Sequence, residues 1–104
     1  MQIRTHCPFD TWGIDIIGPF PATTYQRQFI LLIIDHQSKY VVSKAMGKIT
    51  SAKVIDFIWK NVICRFGVPR VLVSDNGPQF ASKEFHEWCG AYKIQQNFTS
   101  VGHP

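Results

Sequence analysis

A chain of 104 residues, 45% hydrophobic and 13% aromatic, has the composition of one globular domain and not that of a disordered chain. Its longest uninterrupted apolar run, residues 29–34, is far too short to cross a bilayer, and Met1 opens no signal-peptide pattern, so a soluble intracellular protein with no membrane partner is expected. A net charge of +4 with a pI near 9.2 is compatible with a polyanionic partner, yet the cations are scattered without a basic run.

In chain order, FDTWGIDIIGPFP (9–21) is an apolar strand carrying one acid and closed by glycine and prolines. Residues 27–46 predict two strands around the polar turn His36-Gln37-Ser38. The first of these is apolar on both faces, as in a central strand covered on both sides. Residues 49–69 predict a helix capped by Thr50 or Ser51, with Ile55, Ile58, Trp59, Val62 and Phe66 on its inward face. Gly67 and Pro69 end it. A short strand at 70–74 follows, then a second amphipathic helix at 82–92, capped by Ser82 with Phe85, Trp88, Cys89 and Tyr92 inward. A last strand falls at 93–98. A hairpin followed by helix-linked strands implies an α/β fold with a mixed sheet of five strands and flanking helices, because a helical crossover returns the chain parallel.

Two acids stand where acids are expensive. Asp15 lies between isoleucines within a strand, and Asp75 ends the run VLVS. A buried carboxylate must find a partner, take up a proton or hold a cation. If the two strands are neighbours, the carboxylates meet, and a divalent ion such as Mg2+ or Mn2+ relieves their repulsion. Asp75-Asn76-Gly77 is equally ordinary turn chemistry. Asp15 also has a structural reading, as an acid bonded to backbone N–H groups. The pair together favours a metal site.

WGIDIIGPFP, LLIIDHQSKYV, FGVPRVLVSDNGPQF and FTSVGHP, in this order, closely resemble the integrase catalytic core of Ty3/Gypsy-type LTR retrotransposons. The resemblance divides the chain into an N-terminal extension, residues 1–8, and a partial core domain, residues 9–104. It implies a ribonuclease-H-like fold whose first and fourth strands are adjacent and parallel. It also implies 3′-processing and strand transfer of element DNA at two aspartates and a glutamate that hold two Mg2+ ions. The aspartates match Asp15 and Asp75. The glutamate and its helix are expected some 35 residues after the second aspartate, beyond Pro104, so the third carboxylate and the C-terminal helices are absent here. These 104 residues are accordingly expected to bind metal and DNA without competent catalysis. In that family the loop after the second aspartate approaches target DNA, which points to Asn76, Gly77, Pro78 and Gln79. Lys39, Lys44 and Arg70 are further phosphate-contact candidates. The implied partners are element and target DNA and a second copy of the chain, with no small-molecule substrate, acting in the nucleus.

Other signals are weaker. Asp35, Glu84 and Glu87 read as turn and solvated helix acids. His86 and Cys89 supply two ligands where a structural zinc needs four, and His6-Cys7 lacks the paired spacings of a zinc-binding domain. Trp12, Trp59 and Trp88 are stacking candidates for nucleic acid, against core packing as the default. Three widely spaced cysteines (Cys7, Cys64 and Cys89) form no disulfide framework and indicate a reducing compartment. The alternative to an integrase core is a non-catalytic interaction or dimerisation module using the helix at 51–66. Its polar positions 53, 56, 60 and 65 argue against a large apolar interface there.

Overall fold

The computed structural model describes residues 8–21 and 27–99. His6, Cys7 and the end of FTSVGHP lie outside them. The runs rich in isoleucine, leucine and valine become five strands: β1 (Thr11–Pro21), β2 (Arg27–Asp35), β3 (Val41–Met46), β4 (Val71–Ser74) and β5 (Gln95–Phe98). They form one mixed sheet in the order β3-β2-β1-β4-β5. β1–β2 and β2–β3 are antiparallel, while β1–β4 and β4–β5 are parallel, as the helical crossovers require.

Gly18 is where β1 shifts register against β2. Its φ is +124°, and a Cβ there would stand 2.9 Å from the Gln28 carbonyl oxygen, so only glycine fits.

The first helical segment opens as α1 (Ser51–Ile58), whose Thr50 hydroxyl accepts the Lys53 N–H at 3.2 Å. It continues through a π-helical turn, Trp59–Ile63, into the short α2 (Cys64–Phe66). The wider turn deprives one carbonyl of its usual partner, and the Asn61 side-chain amide donates to the Phe57 oxygen at 3.0 Å. The buried stripe is Val54, Phe57, Ile58 and Val62: Ile58 and Val62 are buried as expected, Ile55 and Phe66 are half-buried, and Val54 and Phe57 join the face. Trp59, expected inward, is 40% exposed. The expected and the buried residues are all apolar, so packing against the sheet decides between them.

α3 (Lys83–Ala91) is capped by Ser82, whose hydroxyl accepts the Phe85 N–H at 3.1 Å. Phe85 and Cys89 are buried as expected, whereas Trp88 is half-buried and Tyr92 exposed. The helix ends where the Ile94 N–H reaches the Cys89 carbonyl and the Lys93 N–H reaches that of Gly90. Lys93 takes the left-handed position at φ +60°. That turn delays β5 to Gln95.

Trp12, Ile14, Leu31, Ile33 and Leu72 point from the sheet to this helical layer and pack with Val54, Phe57, Ile58, Val62, Phe85 and Cys89. Trp12 is therefore core and no stacking platform. On the other face of β2, Ile30, Leu32 and Ile34 are half-buried, so among the described residues helices cover one face, not two. Among the same residues no helix is long and apolar enough to cross a membrane.

Candidate functional site

The two acids meet through strand register. β1 and β4 pair as Thr11–Val71, Trp12–Leu72 and Gly13–Val73. In a parallel pair, residues level with each other share a face, and faces alternate along the strand. Trp12 and Leu72 face the helices. Gly13 and Val73 face outward, and two residues on, so do Asp15 and Asp75. Both line one open cleft of about 440 Å3, together with Gly13, Leu32, Ile34, Val73, Ser74 and Thr99. Asp15 is exposed and Asp75 half-buried.

Each carboxylate is held by one oxygen. Asp15 Oδ1 accepts the Ile16 N–H at 2.9 Å, and Asp75 Oδ1 accepts the Gly77 N–H at 2.9 Å. A Cβ on Gly77 would stand 3.0 Å from that oxygen, so glycine keeps the turn tight. The Oδ2 atoms of both acids have no protein hydrogen bond among the described residues. Two carboxylates with free oxygens at an open cleft fit Mg2+ or Mn2+, which bind through one or two carboxylates and take water or phosphate oxygens for the rest. No group of three or more metal-ligating side chains forms among the described residues.

The remaining acids stand elsewhere. Asp35 pairs with Trp12 and so lies on the helix side of the sheet, fully buried. Burial pushes its carboxyl pKa up, but hydrogen bonds from Ser38, Phe9 and Gln37 outweigh that and hold it below the usual range. The Phe9 and Ser38 N–H groups reach it at 2.9 and 2.8 Å. It is a turn-locking acid, which its sequence position at a turn indicates but its burial does not. Glu84 and Glu87 are exposed on α3. His86 Nδ1 is shared with Gln96 Oε1 at 2.9 Å, and burial pushes the Cys89 thiol up to about 12.

Among the candidate DNA contacts, Asn76 and Pro78 are exposed at the cleft's end of the sheet. The Gln79 side-chain amide donates to the Ile49 carbonyl at 3.3 Å, and the Gln79 carbonyl accepts the Ser51 hydroxyl at 3.1 Å. Arg70, at the opposite end of β4, donates from Nε and Nη2 to the Asp10 carboxylate at 3.0 Å. Lys39 sits in the β2–β3 turn at that same end. Lys44 pairs with Leu31 and so faces the helix side. The three cations do not converge on Asp15 and Asp75.

This architecture has relatives. The integrase core domain family model matches residues 5–104. The chain is 31% identical over 100 residues to the Pro-Pol polyprotein of simian foamy virus type 3 (strain LK3), covering 93% of this chain and 8% of the polyprotein. It is 30% identical over 93 residues to the Gag-Pol polyprotein of avian reticuloendotheliosis virus, covering 89% and 8%. Among solved structures, the HTLV-2 integrase catalytic core domain in complex with magnesium (dimeric form) superposes with a TM-score of 0.77 at 28% identity, over 91% of this chain and 63% of that one. The simian T-cell lymphotropic virus intasome with PP2A regulatory subunit B56 gamma gives 0.79 at 24% identity, over 95% and 34%, a likeness of fold. The chain thus spans a small part of the polyproteins it matches. Its five-stranded mixed sheet with helices is that of a ribonuclease-H-like integrase core, and the chain belongs to the integrase core domain family.

Proposed function

We propose that this chain is the DNA- and metal-binding part of an integrase of the Ty3/Gypsy type, acting in 3′-processing and strand transfer of element DNA. The observation that supports it most is the β1–β4 register, which turns Asp15 and Asp75 to one face beside one cleft. In this reading Asp15 and Asp75 would hold Mg2+ or Mn2+. When bound, such an ion neutralises the carboxylate pair and polarises a phosphoryl oxygen. The protein's own part is positional. The Gly77 N–H aims Asp75, and the Gln79 amide ties the loop to the start of α1. Asn76 and Pro78 then lie free to meet a DNA backbone. The place of action proposed with this reading is the nucleus, where element and target DNA meet.

Calorimetric titration with Mn2+ tests the site. Binding by the wild type and its loss in both Asp15→Asn and Asp75→Asn is expected, and equal binding by all three overturns the assignment. Strand transfer by these 104 residues is expected to be undetectable, since among the described residues no third carboxylate joins the pair.

A second reading, association of two copies without catalysis, is favoured by the outer face. Ile17 is 40% exposed there, beside half-buried Ile30, Leu32, Ile34 and Val73. A thermal midpoint that rises with protein concentration supports it, and a concentration-independent midpoint removes it.

A further inference from the structure

β5 carries the geometry of the site beyond the two acids. It pairs with β4 as Val71–Gln95, Leu72–Gln96, Val73–Asn97 and Ser74–Phe98. The ladder runs on by one more bond, from the Thr99 N–H to the Ser74 carbonyl at 2.8 Å. Thr99 is therefore level with Asp75, as Asp75 is with Asp15, and level residues of parallel strands share a face. Three neighbouring strands thus present two carboxylates and a hydroxyl in one row, and Thr99 lines the same cleft as both acids. Asn97 and Gln95 stand behind Thr99 on that outer face.

The two faces of β5 are used differently. On the helix side Gln96 is structural: its side-chain N–H donates to the Phe80 carbonyl at 2.9 Å, and its Oε1 meets His86 Nδ1 at 2.9 Å. On the outer face, donors are left over. Thr99 Oγ1 reaches only the Ser74 carbonyl, at 3.4 Å, and that oxygen already accepts the shorter bond from the Thr99 N–H. Gln95 Nε2 donates to Asn97 Oδ1 at 2.8 Å, which fixes the Asn97 amide and leaves its Nδ2 hydrogens without a protein partner among the described residues. Gln95, Asn97 and Thr99 are all exposed. β5 is also the last strand of the sheet, where charged side chains usually guard against stray pairing, yet residues 95–99 carry no charge. That neutrality suits the neighbouring acids. A lysine here would pair with Asp75 and compete with a metal ion, whereas a hydroxyl or amide donates to an anion and leaves both carboxylates free.

We propose that Thr99 and Asn97 form a phosphate subsite of the Asp15–Asp75 cleft. The Thr99 hydroxyl and the Asn97 amide donate to non-bridging oxygens of successive phosphates of one DNA strand. Residues two apart on a β-strand stand about 6.6 Å from each other, a step comparable to that between consecutive phosphates of an extended single strand. This subsite rests on the integrase reading, from which its DNA ligand comes. A peptide strand added to the edge of β5 would use backbone groups in the plane of the sheet, not the face on which these side chains stand.

Fluorescence anisotropy of a labelled single DNA strand of mixed sequence, titrated with the full chain in the presence of Mn2+, tests it. Thr99→Val keeps the shape and removes the donor, so binding is expected to weaken about tenfold, the loss of one hydrogen bond to a charged group. Asn97→Ala weakens it to a similar degree, and Thr99→Ser, which keeps the hydroxyl, stays within about twofold of wild type. Neutral donors displace no counterions, so the slope of affinity against salt is unchanged in these variants. Calorimetry with Mn2+ alone gives Thr99→Val the wild-type affinity. Unchanged DNA affinity in Thr99→Val, with Mn2+ binding by the wild type intact, overturns the subsite and leaves the metal site standing. A matching fall in Mn2+ affinity makes the hydroxyl a metal ligand and overturns it too, as does a Thr99→Ser variant no better than Thr99→Val. Failure of the wild type to bind Mn2+, or binding kept in Asp15→Asn and Asp75→Asn, strikes the integrase reading itself and the subsite with it. A wild type that binds Mn2+ but no DNA overturns the subsite alone.

Discussion

Arg70 grips Asp10 with two guanidinium nitrogens, and the pair spans the same sixty-residue separation that runs through the whole β1–β4 ladder. The Arg70 N–H also donates to the Asp10 carbonyl at 2.9 Å. Carried along the strands, that separation brings Asp15 level with Asp75. A slip of one residue would turn Asp75 to the helix side and dissolve the site. Arg70 is thus tied to register before it is available to DNA. Its side chain is 66% exposed, which screens the pair, so Arg70→Ala is expected to cost no more than about 1 kcal/mol. Because the ladder itself still holds the strands, Mn2+ affinity should stay within about twofold. A larger fall in affinity than in urea midpoint would show that the ion pair alone sets the register.

Asp35 makes a stability prediction with a definite sign. Hydrogen bonds from Ser38, Phe9 and Gln37 hold its folded carboxyl below the ordinary value of 3.8, against the opposing effect of burial. The folded state therefore binds this proton at lower pH than the unfolded state does. Its contribution is complete above the ordinary value and is lost as pH falls through the lower, folded one. Asp35→Asn keeps one acceptor but turns an N–H donor toward a backbone N–H. The expected loss at neutral pH is about 1.5–3 kcal/mol. Urea unfolding at neutral pH and again near pH 3 should show the gap between wild type and variant narrowing in acid. A gap that widens contradicts the account.

What was legible in the sequence, and what was not, follows from how local each signal is. Asp15 declares itself because an acid between isoleucines is improbable without a purpose, and Asp75 because a strand ends on it. Thr50 and Ser82 are local caps, readable from their own few residues. The buried face of α1 was legible only in part, since Ile55 and Val54 are equally apolar. The π turn at Trp59–Ile63 leaves no mark in composition. Arg70 reads as a free cation until the fold brings Asp10 to it across sixty residues. Likewise the burial of Asp35 depends on the Phe9 N–H, 26 residues away. That the outer face of β2 lacks a helical cover among the described residues could not be read from Ile30, Leu32 and Ile34, which look the same whether covered or not.

Lys93 offers a stabilising change. It occupies the left-handed position that ends α3, at φ +60°, where a side chain costs roughly 1–2 kcal/mol relative to glycine. Glycine also gains freedom in the unfolded chain, which returns about 0.4–1 kcal/mol. Lys93→Gly is expected to stabilise by a net amount of up to about 1 kcal/mol, worth roughly 4–8 °C per kcal/mol in a domain of this size. Lys93→Asn should fall between the two. Differential scanning calorimetry ranks the three, and a midpoint lower for glycine than for lysine would mean the lysine makes a compensating contact.

The two site acids should behave oppositely with and without metal. Asp15 and Asp75 share a face and a cleft, and like charges so placed repel, which weakens the metal-free fold. Asp15→Asn removes one charge while keeping an acceptor for the Ile16 N–H, so the metal-free variant is expected to unfold slightly later than wild type. Asp75→Asn keeps the acceptor for the Gly77 N–H and should do the same. Mn2+ at ten times its dissociation constant stabilises a one-site protein by about 1.4 kcal/mol. Only the wild type should gain this, so added Mn2+ reverses the order of midpoints. Thermal unfolding of all three with and without Mn2+ reads both effects at once. If the asparagine variants are less stable than wild type without metal, the carboxylates do not repel, and each is instead a structural acid bonded to its own backbone.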